Sequence, residues 1–192
     1  MDKYTHIIGI DEAGRGPLAG PVVVGGVRVR KGHPTSLLAG IRDSKQLTAN
    51  QREAWFERLT AHPDIEWQVA VISPKTIDSI NIARATHRGA ANVYRWLARG
   101  VSCHALLDGS LKLPAGASYE VIIKGDEKIP VISAASVIAK VWRDRLMRRL
   151  DKKYPEYGFA VHKGYGTSKH IQMLRLHGPS DVHRRSFVRN FL

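Results

Sequence analysis

Cysteine is nearly absent, with Cys103 the single one in 192 residues. One thiol excludes an intrachain disulfide framework and a cysteine-rich zinc site, and it points to a reducing cytoplasm, with Cys103 read as a small core residue. Long apolar runs are missing too. No stretch approaches the roughly twenty apolar residues of a membrane-spanning helix. The opening Met1 to His6 is polar and the next apolar run stops at Asp11, so neither a membrane span nor a signal peptide is expected. Internal repeats and low-complexity linkers are also lacking, which argues for one folding unit over residues 1–192. Acidic side chains are scarce. Seventeen Asp and Glu face 30 Lys and Arg, for a net charge of +13. The excess is lopsided: 13 basic against 9 acidic side chains (+4) over residues 1–96, and 17 against 8 (+9) over residues 97–192. Such a balance suits a polyanionic partner, while an apolar share of 43% supplies an ordinary globular core.

The apolar pattern reads as strands alternating with helices. Ile7-Ile8-Gly9-Ile10 is a short buried strand ending at Asp11, and Val22 to Val29 is a second, where Gly25-Gly26 marks a bulge or a close approach. Thr48 and Gln51 form a capping box for a helix carrying Trp55, Phe56 and Leu59. Trp67 to Ile72 reads as a third strand, and Asn81 caps a helix whose Ile82, Ala85, Ala90, Val93 and Leu97 follow helical spacing. Apolar runs at 105–107 and 121–123 give two more strands. The longest helical pattern carries Ala135, Ile138, Ala139, Trp142, Leu146 and Leu150 on one stripe, with Lys140, Arg143, Arg145, Arg148, Arg149, Lys152 and Lys153 elsewhere. A shorter helix follows from about Ser168 to His177. The first three strands are close enough in sequence to pair antiparallel, while the last two call for helical crossovers. The expected fold class is α/β, a mixed five-stranded sheet flanked by helices.

Aspartates stand at, or just past, the ends of three of these strands: Asp11, Asp108 and Asp126, with Glu12 beside the first. If the strands are adjacent and parallel, the carboxylates converge at one sheet edge, where open α/β sheets bind ligands. Crowded carboxylates resist ionising together, and oxygen-only ligands of this kind suit Mg²⁺ or Mn²⁺ rather than zinc or copper. Two such cations on carboxylates are a common arrangement for phosphodiester cleavage. Taken singly, each Asp also fits a helix cap or a loop turn.

The segment Gly9-Ile10-Asp11-Glu12-Ala13-Gly14-Arg15-Gly16-Pro17-Leu18-Ala19-Gly20-Pro21-Val22 resembles the opening signature of the ribonuclease HII family, the type 2 ribonucleases H. The resemblance continues through Asp43-Ser44-Lys45-Gln46-Leu47, Leu107-Asp108-Gly109 and Lys124-Gly125-Asp126. It runs on in Ser133-Ala134-Ala135-Ser136-Val137-Ile138-Ala139-Lys140-Val141 with Arg143-Asp144, then Gly164-Tyr165-Gly166-Thr167 and His183-Arg184-Arg185-Ser186-Phe187. The blocks keep the family's order across nearly the whole chain. The resemblance implies a ribonuclease H-like sheet with a helical substrate-binding extension over about residues 155–192. It implies an endonuclease that cuts the RNA strand of RNA·DNA hybrids and incises duplex DNA 5′ of a single ribonucleotide, leaving 5′-phosphate and 3′-hydroxyl ends. Its metal acids fall on Asp11, Glu12, Asp108 and Asp126, with Asp11 bridging two Mn²⁺ or Mg²⁺ ions, Glu12 and Asp108 completing one site and Asp126 holding the second.

The same resemblance gives Gly14-Arg15-Gly16 the ribose contact, since glycine lets backbone groups approach a 2′-hydroxyl, and Tyr165 a stacking role beside the junction. Ser44 and Lys45, just ahead of a helix start, suit a phosphate. Lys140 and Arg143 are the best backbone-tracking candidates on the basic helix. A tight turn, a buried tyrosine and solvated basic faces are the plainer alternatives. His162, His170 and His183 read as loop or cap residues, and Asp144 as the partner of a nearby Arg. Ser186 to Leu192 reads either as a docking segment for a replication protein or as a packed tail; a monomer is expected. The rival functions are a DNA junction nuclease on the same sheet and a non-catalytic RNA·DNA-binding protein.

Overall fold

The computed structural model describes residues 4–32, 38–41 and 44–192; Asp43, quoted above, lies outside them. Five strands form one mixed sheet: β1 (His6–Ala13), β2 (Val22–Arg30), β3 (Glu66–Ile72), β4 (Cys103–Asp108) and β5 (Tyr119–Ile122). Their spatial order is β3-β2-β1-β4-β5. β2 pairs antiparallel with β1, as its short connection led one to expect, and also with β3, although a helix lies in the β2–β3 connection; β4 lies parallel to β1 on its other side and β5 parallel to β4.

Alternation along β1 divides the two layers of helices. Ile8 and Ile10 pack with Ala90, Val93 and Leu97 of helix α3 (Ile82–Leu97), which follows α2 (Pro74–Ile80) in the crossover from β3 to β4. Ile7 faces the opposite layer, where α1 (Ala49–Ala61) contributes Phe56 and Leu59, and α5 (Pro130–Lys153) contributes Val131, Ala134, Ala135 and Ile138. Local caps set the helix starts. Thr48 and Gln51 form the anticipated reciprocal capping box, and the Asn81 side chain accepts from the Arg84 N–H.

The Gly25-Gly26 pair is a close approach, not a bulge, because the β1–β2 register runs unbroken through it. A Cβ on Gly25 would lie 2.7 Å from the Ala135 carbonyl oxygen and 2.8 Å from the Ala139 nitrogen of α5. A Cβ on Gly26 would meet Val93 and Leu97 of α3 on the other face. The two glycines let helices from both layers press onto the sheet at one level.

Three features depart from the sequence reading. The parallel pair β4–β5 is joined by a loop over 109–118, not by a helix; the buried Leu111 and Leu113 of that loop pack into the α3-side core, doing the covering a helix would do. The run at 121–123 is an exposed edge, with Val121 and Ile123 open to solvent. Helix α5 starts at Pro130, and every residue from Val131 to Ala139 is buried, so its first half has no solvated face. The chain continues through α4 (Gly125–Lys128) before α5, and then a 3₁₀ turn (Pro155–Tyr157), α6 (Phe159–His162), α7 (Ser168–His177) and α8 (Arg185–Val188). No helix among the described residues is long and apolar enough to cross a membrane.

Candidate active site

The β1–β4 register, with Ile10 opposite Leu107, sets Asp11 and Asp108 side by side at the carboxyl ends of two parallel strands. Asp126 arrives differently. Lys124 takes a left-handed conformation (φ 55°) that ends the β5 segment and starts α4, with Asp126 in its first turn. The Asp108 Oδ1 accepts from the Gly125 N–H at 2.7 Å and the Asp126 N–H at 3.4 Å, which ties that turn to β4. Ser133 of α5 donates to the Asp126 carbonyl at 2.7 Å. Carboxylate oxygens of Asp11, Asp108 and Asp126 consequently lie within 4.8 Å of one another.

Glu12, next on β1, points to the α3 side. Its Oε1 accepts from Arg15 Nη1 at 3.4 Å, which also donates to Thr86 Oγ1 at 3.3 Å, while its Oε2 is buried with no partner. Burial, and then the Glu12 charge, push the Asp11 carboxyl well above the usual carboxylate range. Burial first and Asp126 second raise Asp108, and burial is the main cause of an upward shift at Glu12. On the outer side Lys45, itself exposed, sets its Nζ 2.8 Å from Asp126 Oδ2. Ser44 is buried with its hydroxyl 2.8 Å from that of Ser136.

A cleft of about 280 Å³ lies over these groups. Its walls include every metal or substrate candidate named from the sequence except Asp126, which adjoins it through Lys45 and Asp108: the other three acids, Gly14, Arg15, Gly16, Ser44, Lys45, Lys140, Arg143 and Tyr165. Residues 8–190 match the family model described as Ribonuclease HII. The chain belongs to the ribonuclease HII family. Ribonuclease HII of Chlamydia trachomatis serovar D is 47% identical over 184 residues, covering 96% of this chain and 82% of that protein. Ribonuclease H2 from Pyrococcus horikoshii OT3 superposes with a TM-score of 0.78 at 28% identity, covering 97% of this chain and 96% of that one. RNase HII of Archaeoglobus fulgidus, solved in complex with PCNA, gives the same score and identity over 93% of each chain. The chain is therefore an endoribonuclease built on the ribonuclease H-like sheet.

The donor set fits a hard divalent cation. The three aspartates offer carboxylate oxygens only; Glu12, whose buried Oε2 no protein donor reaches, lies outside that cluster but walls the same cleft. The raised carboxyl groups give this a pH signature. A group whose folded pKa exceeds its unfolded value holds extra protons in the folded chain, so metal-free stability falls as pH rises from the ordinary carboxylate range through the raised values of Asp11 and Asp108. A cation that replaces those protons restores it. The rise in melting temperature on adding Mn²⁺ should therefore grow as pH climbs from the ordinary carboxylate range through the raised values of these groups. A metal-induced rise that shrinks with pH in thermal melts would contradict this account of the acids.

Other residues sit where the sequence did not place them. Arg143 is not on a solvated helix face: it is buried, and its guanidinium donates to the carbonyls of Pro21 (3.0 Å), Ala19 (3.3 Å) and Lys163 (3.0 Å). Lys140 pairs with Asp144 at 2.9 Å, so the partner of Asp144 is a lysine one turn away and not an arginine. Tyr165 is half-exposed, not buried, and its ring lies 6.0 Å from the Arg143 guanidinium.

His162, His170 and His183 are core residues, buried together with Tyr157 and Phe159. Their hydrogen bonds order the protons. The Ser180 N–H donates to His183 Nδ1 (3.0 Å), which leaves His183 Nε2–H to donate to His170 Nε2 (3.0 Å) and His170 Nδ1–H to donate to the Tyr165 carbonyl (2.8 Å). Burial, with His170 second, pushes His183 down to about 4, in keeping with a neutral chain. Ser136, Thr86 and Arg184 also hold the site. Ser136 and Arg184 each lie in a block that carries the family resemblance, whereas nothing in the sequence marks Thr86.

Proposed function

We propose that the chain hydrolyses the RNA strand of RNA·DNA hybrids and incises duplex DNA on the 5′ side of a single embedded ribonucleotide, with Mn²⁺ or Mg²⁺, leaving 5′-phosphate and 3′-hydroxyl ends. The observation that carries this reading is one cleft walled by the carboxylates and by Gly14, Arg15 and Gly16 together. Asp11, Glu12, Asp108 and Asp126 would hold two cations. Those ions supply a lowered pKa for the attacking water and charge stabilisation at the leaving oxygen.

The chain's own residues bind and orient. Gly16 has open space at its Cα, the nearest atom to an added Cβ being a Tyr165 ring carbon at 3.9 Å, so a sugar can come against the backbone between loop and ring. Ribose differs from deoxyribose there only by the 2′-hydroxyl, which both donates and accepts. Tyr165 offers its exposed face for stacking on the sugar. Ser44 and Lys45 line the same cleft and would take a phosphate beside the cut, with Lys140 on the same wall; Arg143 acts through the loop it holds. Residues 155–192 serve as the substrate-binding extension of a single catalytic domain. A monomer in the cytoplasm fits a free, buried Cys103. A replication-protein partner at 186–192 would have to engage a segment whose Phe187 and Val188 already pack on Leu18 and Leu174.

End-labelled duplex DNA with one ribonucleotide, incubated with Mn²⁺, Mg²⁺ or chelator, tests the reading. Metal-dependent incision 5′ of the ribonucleotide is expected, with none on the all-DNA duplex. Cutting of all-DNA would favour the junction-nuclease reading, and salt-sensitive binding without cutting would favour the binding protein.

A further inference from the structure

Arg184 lies in the C-terminal segment, has no exposed surface, and is ion-paired to no carboxylate among the described residues. A buried guanidinium without a counter-charge is costly and persists only where its donors are satisfied. Here every donor nitrogen serves one loop: Nε donates to the Gly20 carbonyl at 3.0 Å, Nη1 to Arg15 at 2.7 Å and Nη2 to Gly14 at 2.6 Å. The segment itself is sewn to that loop, the Arg184 N–H donating to the Leu18 carbonyl and the Gly20 N–H to the Val182 carbonyl, each at 2.8 Å.

Two consecutive carbonyls on one guanidinium are not an extended-chain arrangement, in which successive carbonyls point to opposite sides. Gly14, at φ 95°, breaks the alternation. In a trans peptide the N–H points away from the C=O of the same unit. Fixing the Gly14 and Arg15 carbonyls toward Arg184 therefore turns the Arg15 and Gly16 N–H groups away from it together. Among the described residues neither N–H donates to a protein acceptor. Adjacent N–H groups on one side form a concavity suited to an oxygen atom, and a cationic donor on each carbonyl polarises its peptide and strengthens that N–H. Both residues line the cleft with the carboxylates.

We propose that Arg184 is a specificity-determining positioning residue, holding the Gly14–Arg15 and Arg15–Gly16 peptide planes so that their paired N–H groups meet the ribose 2′-hydroxyl oxygen. The proposal rests on the reading of Gly14-Arg15-Gly16 as the ribose contact. The fork geometry is essential: a lysine keeps the charge but cannot reach both carbonyls with fixed, planar donors. His183 beside it secures the Tyr165 carbonyl through His170, so one buried dipeptide serves both walls of the cleft.

The test compares wild type, Arg184→Lys and Arg184→Gln on duplexes carrying one ribonucleotide or its 2′-fluoro counterpart, with Mn²⁺ affinity read by calorimetry. Wild type should prefer the ribonucleotide strongly. The variants should compress that preference by about tenfold or more, through kcat more than KM, while binding Mn²⁺ as wild type does. Equal losses on both substrates, or an unchanged preference, would overturn the proposal. A wild type with no preference would instead overturn the ribose reading beneath it. If neither variant folds, nuclear magnetic resonance of the wild type decides: slowly exchanging Arg184 Nη protons coupled to the Gly14 and Arg15 carbonyl carbons are required, and fast exchange refutes the clamp.

Discussion

Replacing Asp108 by asparagine is expected to lower hybrid cleavage by about 10³-fold or more in either Mg²⁺ or Mn²⁺, a few kcal/mol of lost charge stabilisation at ~1.4 kcal/mol per tenfold. The fold should not suffer. Asparagine keeps an Oδ1 that can accept from the Gly125 and Asp126 N–H groups, so the turn that delivers Asp126 stays tied to β4. What disappears is one negative charge among carboxylates that already oppose one another, Asp126 being the charge that raises Asp108. In chelator the variant should therefore melt at or above the wild-type temperature, and in Mn²⁺ it should gain less than wild type does. This pairing matters, because a merely disruptive substitution lowers activity and melting temperature together. Near-normal cleavage by Asp108→Asn would remove the metal reading of the cleft.

The acids were legible because they follow local rules. A strand that ends in Asp states its own geometry, and two parallel strands with ends in register bring two such residues together without further information. Asp126 was legible only as lying near the others, because it reaches them from a helical turn behind a left-handed Lys124. The Thr48 capping box and the Asn81 cap were readable for the same reason: donor and acceptor lie within one turn.

Burial of charge was not legible. Arginine is ordinarily a surface residue, and nothing near Arg143 or Arg184 in sequence announces that distant carbonyls will accept its hydrogen bonds: the Arg143 bond to Pro21 and the Arg184 bond to Gly14 each span more than a hundred residues. The histidine cluster escaped for a related reason, since His162, His170 and His183 meet only after the chain has folded back through α6 and α7. The Lys140–Asp144 pair is a different case. Its four-residue spacing on a helix was there to be read, and a lysine was passed over for an arginine.

Gly25 and Gly26 provide the second large effect, and they separate the site from the scaffold. Gly25 lies opposite Asp11 in the β1–β2 register and faces α5, so any Cβ there meets helix backbone at Ala135 and Ala139. Backbone cannot rotate aside, and the helix must shift off the sheet. The stretch that shifts carries Ser133, bonded to Asp126, and Ser136, bonded to Ser44. Gly25→Ala should thus cost about 2–3 kcal/mol in stability and, by displacing the acids on the α5 side from Asp11, about 10²-fold in rate. Gly26→Ala makes the contrast. Its added methyl meets side chains and not helix backbone: Leu97 can change rotamer, whereas the β-branched Val93 must shift with α3, and the clash lies on the α3 face, away from Asp126 and Ser136. It should lose about 1–3 kcal/mol yet keep cleavage within about tenfold of wild type, because Asp11, Asp108 and Asp126 keep their geometry. Urea melts and Mn²⁺-dependent cleavage of both variants decide the matter. If Gly26→Ala loses as much rate as Gly25→Ala, close packing of α5 on β2 is not what aligns Asp126 with Asp11.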